Sequence, residues 1–387
     1  MKSSKLMIAL TCLLTLTPTS GLAAAPHLLK LGSEQLIQAG GVDIDVPGYS
    51  VPSFVDWNAD GLGDLVIGQG GGAHDAKVRI YLNTGSKSEP QFTDHFYLQR
   101  LGADASWPAG QYMGAFPHVA YWDEDDRKDM LVGLADGTVR VLENSGTDAE
   151  PVFTGQTFIL TLWNSYHLDV GEQATPALLD WDNDGRTDMV SGSLDGKVNL
   201  YINCGCGHAV PPSFFTSQIA GTPLQQNGQN LIVPSHSSST AVMDLDGDGN
   251  KDILTGNTDG QLLFYTNIGT DAEPAFDEYS LVTANGTAID ISPAQYSRPS
   301  VCDWNADGYL DILLGSSDGK VRLYQGVSIT GDIDKDYNVD MTDYVLFAQY
   351  AEQGDCELCP LADVNRDGWI DFLDLAALSA NWLQYTE

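Results

Sequence analysis

The sequence predicts an all-β fold, a five-bladed β-propeller of four-stranded blades, followed by a small α-helical module. Three observations predict it. An acidic motif recurs five times at intervals of about 60 residues, the period of a propeller blade or solenoid unit. Each copy runs into a turn and an alternating strand, the signature of a hairpin. After residue 330 the apolar residues change to helical spacing.

The chain opens with Met1-Lys2-Ser3-Ser4-Lys5, an apolar run from Leu6 to Leu16, and small residues through Ala25. A charged start, a short apolar stretch and an Ala-rich exit predict an export signal over residues 1–25 and a secreted, extracellular protein. No later apolar run reaches about 18 residues, so membrane insertion is not expected. With 18 basic against 53 acidic residues the net charge is −35, which disfavours nucleic acid as a partner. A hydrophobic content of 43% argues for packed domains, not a charged disordered chain. The expected division is a signal over 1–25, a propeller over 26–328 and a small helical module over 329–387.

The repeated motif reads "DWNADGLGDLVIG" (56–68), "DWDNDGRTDMVSG" (180–192), "DLDGDGNKDILTG" (244–256) and "DWNADGYLDILLG" (303–315). A worn copy, "YWDEDDRKDMLVG", spans 121–133. Four copies continue into an Asp-Gly turn, as at Asp136-Gly137 and Asp318-Gly319; the first has the longer "QGGGAHDAK" instead. Three copies then show "EPQF", "EPVF" or "EPAF" before another strand. The fifth lacks that piece, whereas the N-terminal "HLLKLGSEQLIQAGGVDIDV" resembles it. The N-terminus is therefore expected to supply the last outer strand and close the ring, leaving no open edge. An open β-solenoid or a sandwich is the alternative.

Each intact motif offers side-chain oxygens at positions 1, 3, 5 and 9, a backbone carbonyl at 7 and a glycine at 6. The sets are Asp56, Asn58, Asp60, Asp64; Asp180, Asp182, Asp184, Asp188; Asp244, Asp246, Asp248, Asp252; and Asp303, Asn305, Asp307, Asp311. An all-oxygen site with several carboxylates suits Ca²⁺, which takes six to eight oxygens and tolerates irregular geometry. A single such loop reads equally well as an exposed turn; four in register favour calcium. In the worn copy Tyr121 replaces the first ligand and Asp126 the glycine, leaving Asp123, Asp125 and Asp129.

These units resemble FG-GAP/VCBS repeats, known from integrin α-subunit propellers, over roughly residues 27–327. The resemblance implies that each loop joins the first two strands of a blade and is structural.

The C-terminal stretch repeats a twelve-residue acidic loop that runs into an amphipathic helix. Its candidate ligands are Asp332, Asp334, Asp336, Asp340, Asp343 and Asp363, Asn365, Asp367, Asp371, Asp374, an EF-hand-like spacing with Asp at position 12. Nearly half of the 53 acids fall in these and the propeller loops. A tandem loop and helix without an entering helix resembles the type I dockerin family over 331–384. That resemblance implies two calcium ions and a cohesin-type scaffold partner.

The departures are Tyr337 at the usual glycine, and Met341-Thr342 and Phe372-Leu373 where the family often carries Ser-Thr. Those four residues form either an apolar docking patch or internal packing. Cys356 and Cys359 lie between the halves, where a disulfide would tie them; Cys204 and Cys206 are a less comfortable pair. Cys302, in an apolar strand pattern, reads as a buried thiol.

No nucleophile elbow, H-E-x-x-H helix, P-loop or dinucleotide fingerprint appears. The segments that enter each first strand should lie on the face opposite the loops, bringing Trp107, Tyr112, Trp163, Tyr166, His167 and Tyr296 there, with Arg298 beside them. Such a face suits a carbohydrate or a protein ligand. The expected role is non-catalytic binding in extracellular polysaccharide degradation. A propeller glycoside hydrolase or lyase is the competing class.

Overall fold

The structure, a computed structural model, describes residues 29–382 apart from 124, 160–166, 204–220, 336–338, 354–361, 365–369 and 371. The signal at 1–25 and both cysteine pairs lie outside the described residues.

Five four-stranded antiparallel sheets form five blades. From inner to outer edge, blade 1 comprises Val51–Val55, Asp64–Gly71, His74–Tyr81 and Phe96–Tyr97. Blade 2 comprises Phe116–Ala120, Asp129–Gly133, Val139–Leu142 and Thr157–Phe158. Blade 3 comprises Thr175–Leu179, Asp188–Gly192, Val198–Tyr201 and Thr222–Pro223. Blade 4 comprises Ser239–Met243, Asp252–Gly256, Leu262–Tyr265 and Ser280–Leu281. Blade 5 takes Arg298–Cys302, Asp311–Gly315 and Val321–Tyr324 from its own stretch of chain. Its outer strand is Gln35–Leu36 from the N-terminus, so the ring closes as expected.

The period of two in each motif becomes the blade interior. All five second strands are buried along their whole length, because both faces of a blade pack on neighbours. Trp57, Trp122, Trp181 and Trp304, the second residues of four motifs, are 0–7% exposed and fill the space between blades. The long turn of the first copy extends its hairpin, with a register shift between Gln69 and Gly71.

The last glycine of each motif has a packing role. A Cβ on Gly68 would stand 2.0 Å from the Ala115 carbonyl oxygen of the next blade. Gly133 meets Ala174 at 2.2 Å, Gly192 meets Ser238 at 2.4 Å, and Gly256 meets Ser297 at 1.8 Å. Gly315 of blade 5 meets Ser50 of blade 1 at 2.3 Å, so the contact that spaces neighbouring blades also completes the ring.

The C-terminal module supplies helices α1 (Met341–Gln353) and α2 (Phe372–Ala380). Asp340 caps α1, its carboxylate accepting the Thr342 amide at 2.7 Å. Among the described residues no helix is long and apolar enough to cross a membrane.

Candidate metal centres and ligand face

Each acidic loop joins the inner strand of its blade to the second. In blade 1 the Asp56 carboxylate accepts the amides of Asp60 (3.2 Å) and Gly61 (3.0 Å). Asn58 Oδ1 accepts the Asp60 amide at 3.2 Å, and Asp60 Oδ1 accepts that of Leu62 at 2.8 Å. The same bonds recur in blade 3 from Asp180, Asp182 and Asp184, and in blade 5 from Asp303, Asn305 and Asp307. In blade 4 Asp244 accepts the amides of Gly247 and Gly249, while Asp246 and Asp248 accept those two residues ahead.

Backbone amides thus hold like charges at a spacing they would otherwise resist, leaving further lone pairs for a cation. Gly61 at φ 84° and Gly185 at φ 85° have nothing within 4 Å of a Cβ position, so backbone conformation, not crowding, requires them.

Ligand oxygens of Asp180, Asp182 and Asp188 lie within 4.8 Å of one another, as do those of Asp244, Asp246 and Asp248. Carboxylates, amides and backbone carbonyls, with no sulfur or imidazole, fit a hard cation of calcium's size.

The ninth position carries a second task. Asp64, Asp129, Asp188, Asp252 and Asp311 are all 0% exposed. One oxygen of each accepts the amide of the motif's second residue, at 2.6–3.1 Å. The other accepts an amide just past the third strand, from Asn83, Asn144, Asn203, Asn267 or Gly326, at 2.7–2.9 Å. One carboxylate therefore clasps three strands of its blade. Burial pushes the carboxyls of Asp129, Asp188 and Asp311 up to about 6 and that of Asp252 to about 7; Asp64 is raised for the same reason.

In the worn loop of blade 2 the clasp persists, although Tyr121 turns its hydroxyl to Asp148 at 3.2 Å. The Arg127 guanidinium pairs with Asp125. Arg186 repeats that contact with Asp184 in a loop that keeps all its ligand positions, so blade 2 is set apart by the lost first carboxylate and by Asp126, at φ 58°, in place of the glycine.

In the C-terminal module Asp332, Asp334 and Asp343 bring ligand oxygens within 4.8 Å. Asp343 is 0% exposed and accepts the amides of Ile333 (2.5 Å) and Asp340 (2.8 Å). Asp374, its counterpart in the second loop, is equally buried. Asp336, Asn365, Asp367 and Asp371 lie outside the described residues. Met341 (61% exposed) and Leu373 (58%) stand on the surface, with Tyr344 and Val345 exposed beside Met341. Thr342 is exposed too, and Phe372 opens α2.

At the opposite end of the inner strands, Tyr112 stacks on Tyr296 at 5.5 Å, and Tyr296 meets the Tyr49 ring edge-on at 5.4 Å. Arg298 reaches from blade 5 to the segment entering blade 2, donating from Nη2 to the Tyr112 carbonyl at 2.8 Å. Its Cζ lies 5.4 Å from the Tyr49 ring centre. It is 2% exposed, its Nε has no partner among the described residues, and burial holds its pKa down to about 10.

Trp107 does not join this cluster. It is 4% exposed, packed between blades 1 and 2, with Nε1 donating to Gln156 at 2.8 Å. His167 is exposed but stacks on Phe158 at 3.7 Å, away from the tyrosines. Trp163 and Tyr166 lie outside the described residues. Tyr49 escaped the sequence reading; its one signal was the "PGYSVP" segment before the first strand. Cys302 is a free thiol packed against the apolar cluster of blades 1 and 5, and burial pushes its pKa well up, in keeping with the expected buried thiol. The residue as a whole is half-buried at the end of its inner strand.

Residues 244–314 match the family model of the FG-GAP-like repeat, and residues 330–383 match that of the dockerin type I domain. The chain is a five-bladed propeller that carries an FG-GAP-like repeat over residues 244–314 and a dockerin type I domain over residues 330–383. No curated protein matches it in sequence. Among solved structures it is similar to the Photorhabdus luminescens Tc holotoxin pore, at 18% identity and a TM-score of 0.32, covering 76% of this chain and 12% of that one. The crystal structure of BBS1N in complex with ARL6DN gives 11% identity and a TM-score of 0.36, covering 78% and 97% of the two chains. The GH43_1 enzyme from Xanthomonas citri complexed with xylotriose gives 12%, 0.43, and coverage of 73% and 88%.

Proposed function

We propose that this is an exported, calcium-binding, non-catalytic binding protein of extracellular polysaccharide degradation. Its dockerin domain docks to a cohesin-type partner, and its propeller presents a ligand face for a carbohydrate or protein. The observation that carries this reading is the dockerin match together with the exposed apolar residues Met341, Tyr344, Val345 and Leu373 on its helices. A shallow groove of about 380 Å³ between the helices, lined by Tyr344, Leu375, Leu378 and Trp382, continues the apolar surface.

Calcium, when bound, supplies positive charge that fixes the shape of each loop. Asp56, Asp180, Asp244 and Asp303 would hold it with their loop partners in the propeller, and Asp332, Asp334 and Asp343 in the dockerin domain. The Tyr49–Tyr112–Tyr296 cluster over the buried Arg298 offers aromatic rings, with Tyr112 the most exposed, to a ligand.

The test is capture of the full chain by purified cohesin domains with calcium and with chelator. Capture that needs calcium and is lost in Leu373→Asp supports the reading. Absence of capture by every cohesin tried overturns the partner. Release of sugar from a polysaccharide by the purified chain overturns the non-catalytic role.

A further inference from the structure

Blade 5 alone takes its outer strand from the far end of the chain. That seam is short. Gln35 and Leu36 pair with Leu323 and Arg322. Around them, Gly32 donates to the Gln325 carbonyl (2.8 Å), Ile37 to that of Val321 (3.0 Å) and Val327 to that of Lys30 (2.9 Å). Leu31 bridges Gly326, and the Glu34 carboxylate pairs with Arg322 and accepts the Tyr324 hydroxyl at 2.8 Å. Like the other four outer strands this one pairs over only two residues, a short closure on its own.

The dockerin domain rests on this seam. Ile329, Ile333, Val339, Phe347 and Leu378 are 0–7% exposed and share one apolar cluster with Leu29 and Leu31 of the N-terminal segment and with Tyr309 and Tyr324 of blade 5. The Tyr309 hydroxyl accepts the Ile329 amide at 3.3 Å and donates to the Asp332 carbonyl at 3.4 Å. The Lys335 ammonium donates to the Asp307 carbonyl in blade 5's own acidic loop and lies 5.7 Å from the Tyr309 ring centre. Apolar burial, a hydroxyl that bridges both units and a cation seated on an acidic loop are three independent ties across one interface.

We infer that the surface formed by Leu29, Leu31, Tyr309 and Tyr324 is a docking surface whose partner is the chain's own C-terminal module, and that the docked module clasps the ring at its seam. The occupant is set by what already lies there: among the described residues, the cluster that holds the N-terminal leucines is otherwise made of blades 4 and 5 and the module. Ile333 and Val339 belong to the loop that carries Asp332, Asp334 and Asp343, so the shape of that loop governs the clasp. Coupling of this kind is reciprocal: the folded module favours the closed seam by the same factor as the closed seam favours the folded module.

Hydrogen exchange on the full, calcium-loaded chain tests the clasp. The amides of Gly32, Ile37 and Val327 report the seam, with Leu131 in blade 2 and Val190 in blade 3 as references. Ile333→Asp is expected to speed exchange at the three seam amides by about tenfold or more and to leave the references unchanged. If that variant unfolds the whole chain, the milder Leu378→Ala decides by the same criterion. Seam rates that stay at their wild-type values while amides of α1 exchange faster would overturn the inference, because the module would then be a passenger.

Discussion

The acidic loops of blades 2 and 4 hold the same clasp and differ in what surrounds it. In blade 4 Asp252 is joined by Asp244, Asp246 and Asp248; in blade 2 Asp129 is left with Asp123 and Asp125, and Tyr121 stands at the first position. Yet Asp129 and Asp252 are equally buried and each accepts two backbone amides at 2.7–3.1 Å. The difference separates two tasks that one motif merges. Positions 1, 3 and 5 assemble charge for a cation, whereas position 9 fixes the register of three strands whether or not a cation binds.

The strongest way to sharpen that contrast is to strip the metal. At 100 times its Kd, calcium should add about 2.7 kcal/mol per independent site. A melt in chelator should therefore fall by many degrees, and Asp244→Asn should remove part of the calcium dependence. Asp123→Asn in blade 2 should leave that dependence intact, which calorimetry with and without calcium measures.

Next in size is the clasp itself. Asp129→Ala leaves two buried amides without acceptors, at a cost of about 2–4 kcal/mol. Urea denaturation should give the same loss with calcium and with chelator for Asp129→Ala. For Asp252→Ala the loss should be greater in calcium.

A smaller effect follows from pH. The folded Asp129 carboxyl titrates at about 6, above its unfolded value, so the folded state holds a proton that the unfolded state has released. Between about pH 4 and pH 6 this group therefore makes the chain less stable as pH rises. Asp318 runs the other way: Arg322 and Ser316 outweigh its burial and hold it down to about 2. Its contribution is full above about pH 4 and is lost as pH falls toward 2. Denaturation curves of Asp129→Asn and Asp318→Asn across pH 3–7 should lose one slope each.

The smallest expected change in stability is at the dockerin surface. Leu373→Asp, at a side chain 58% exposed, should alter unfolding by less than about 0.5 kcal/mol while abolishing cohesin capture.

Much of the fold was legible because it repeats. Five copies in register fixed the blade count, and the missing fifth outer strand pointed to the N-terminus. The closing glycine of the motif was legible as a pattern but not as a reason, since the carbonyl it admits belongs to the next blade. Trp107 was misread for a similar cause: its segment enters an inner strand, but Gln156 of blade 2 offers a half-buried partner that sequence spacing does not reveal. Arg298 and Tyr112 are 186 residues apart, and only ring closure brings them together. The same holds for the dockerin domain against Leu29 and Leu31.

The seam at Gln35 also sets an order of events. Its partner, Leu323, lies at the other end of the propeller, so this strand leaves the ribosome among the first and finds its place among the last. Closing so long a loop costs entropy before any contact repays it, and folds dominated by such distant pairings form slowly. Until blade 5 exists, this strand has no sheet to join, and its segment is held only by contacts such as the Gly40 amide to the Phe92 carbonyl of blade 1 and the Leu31 carbonyl to the Asn285 amide after blade 4. A chain stalled or cut before residue 321 would hold four blades and a stranded leucine-rich end, with an exposed sheet edge ready to pair with another copy of itself.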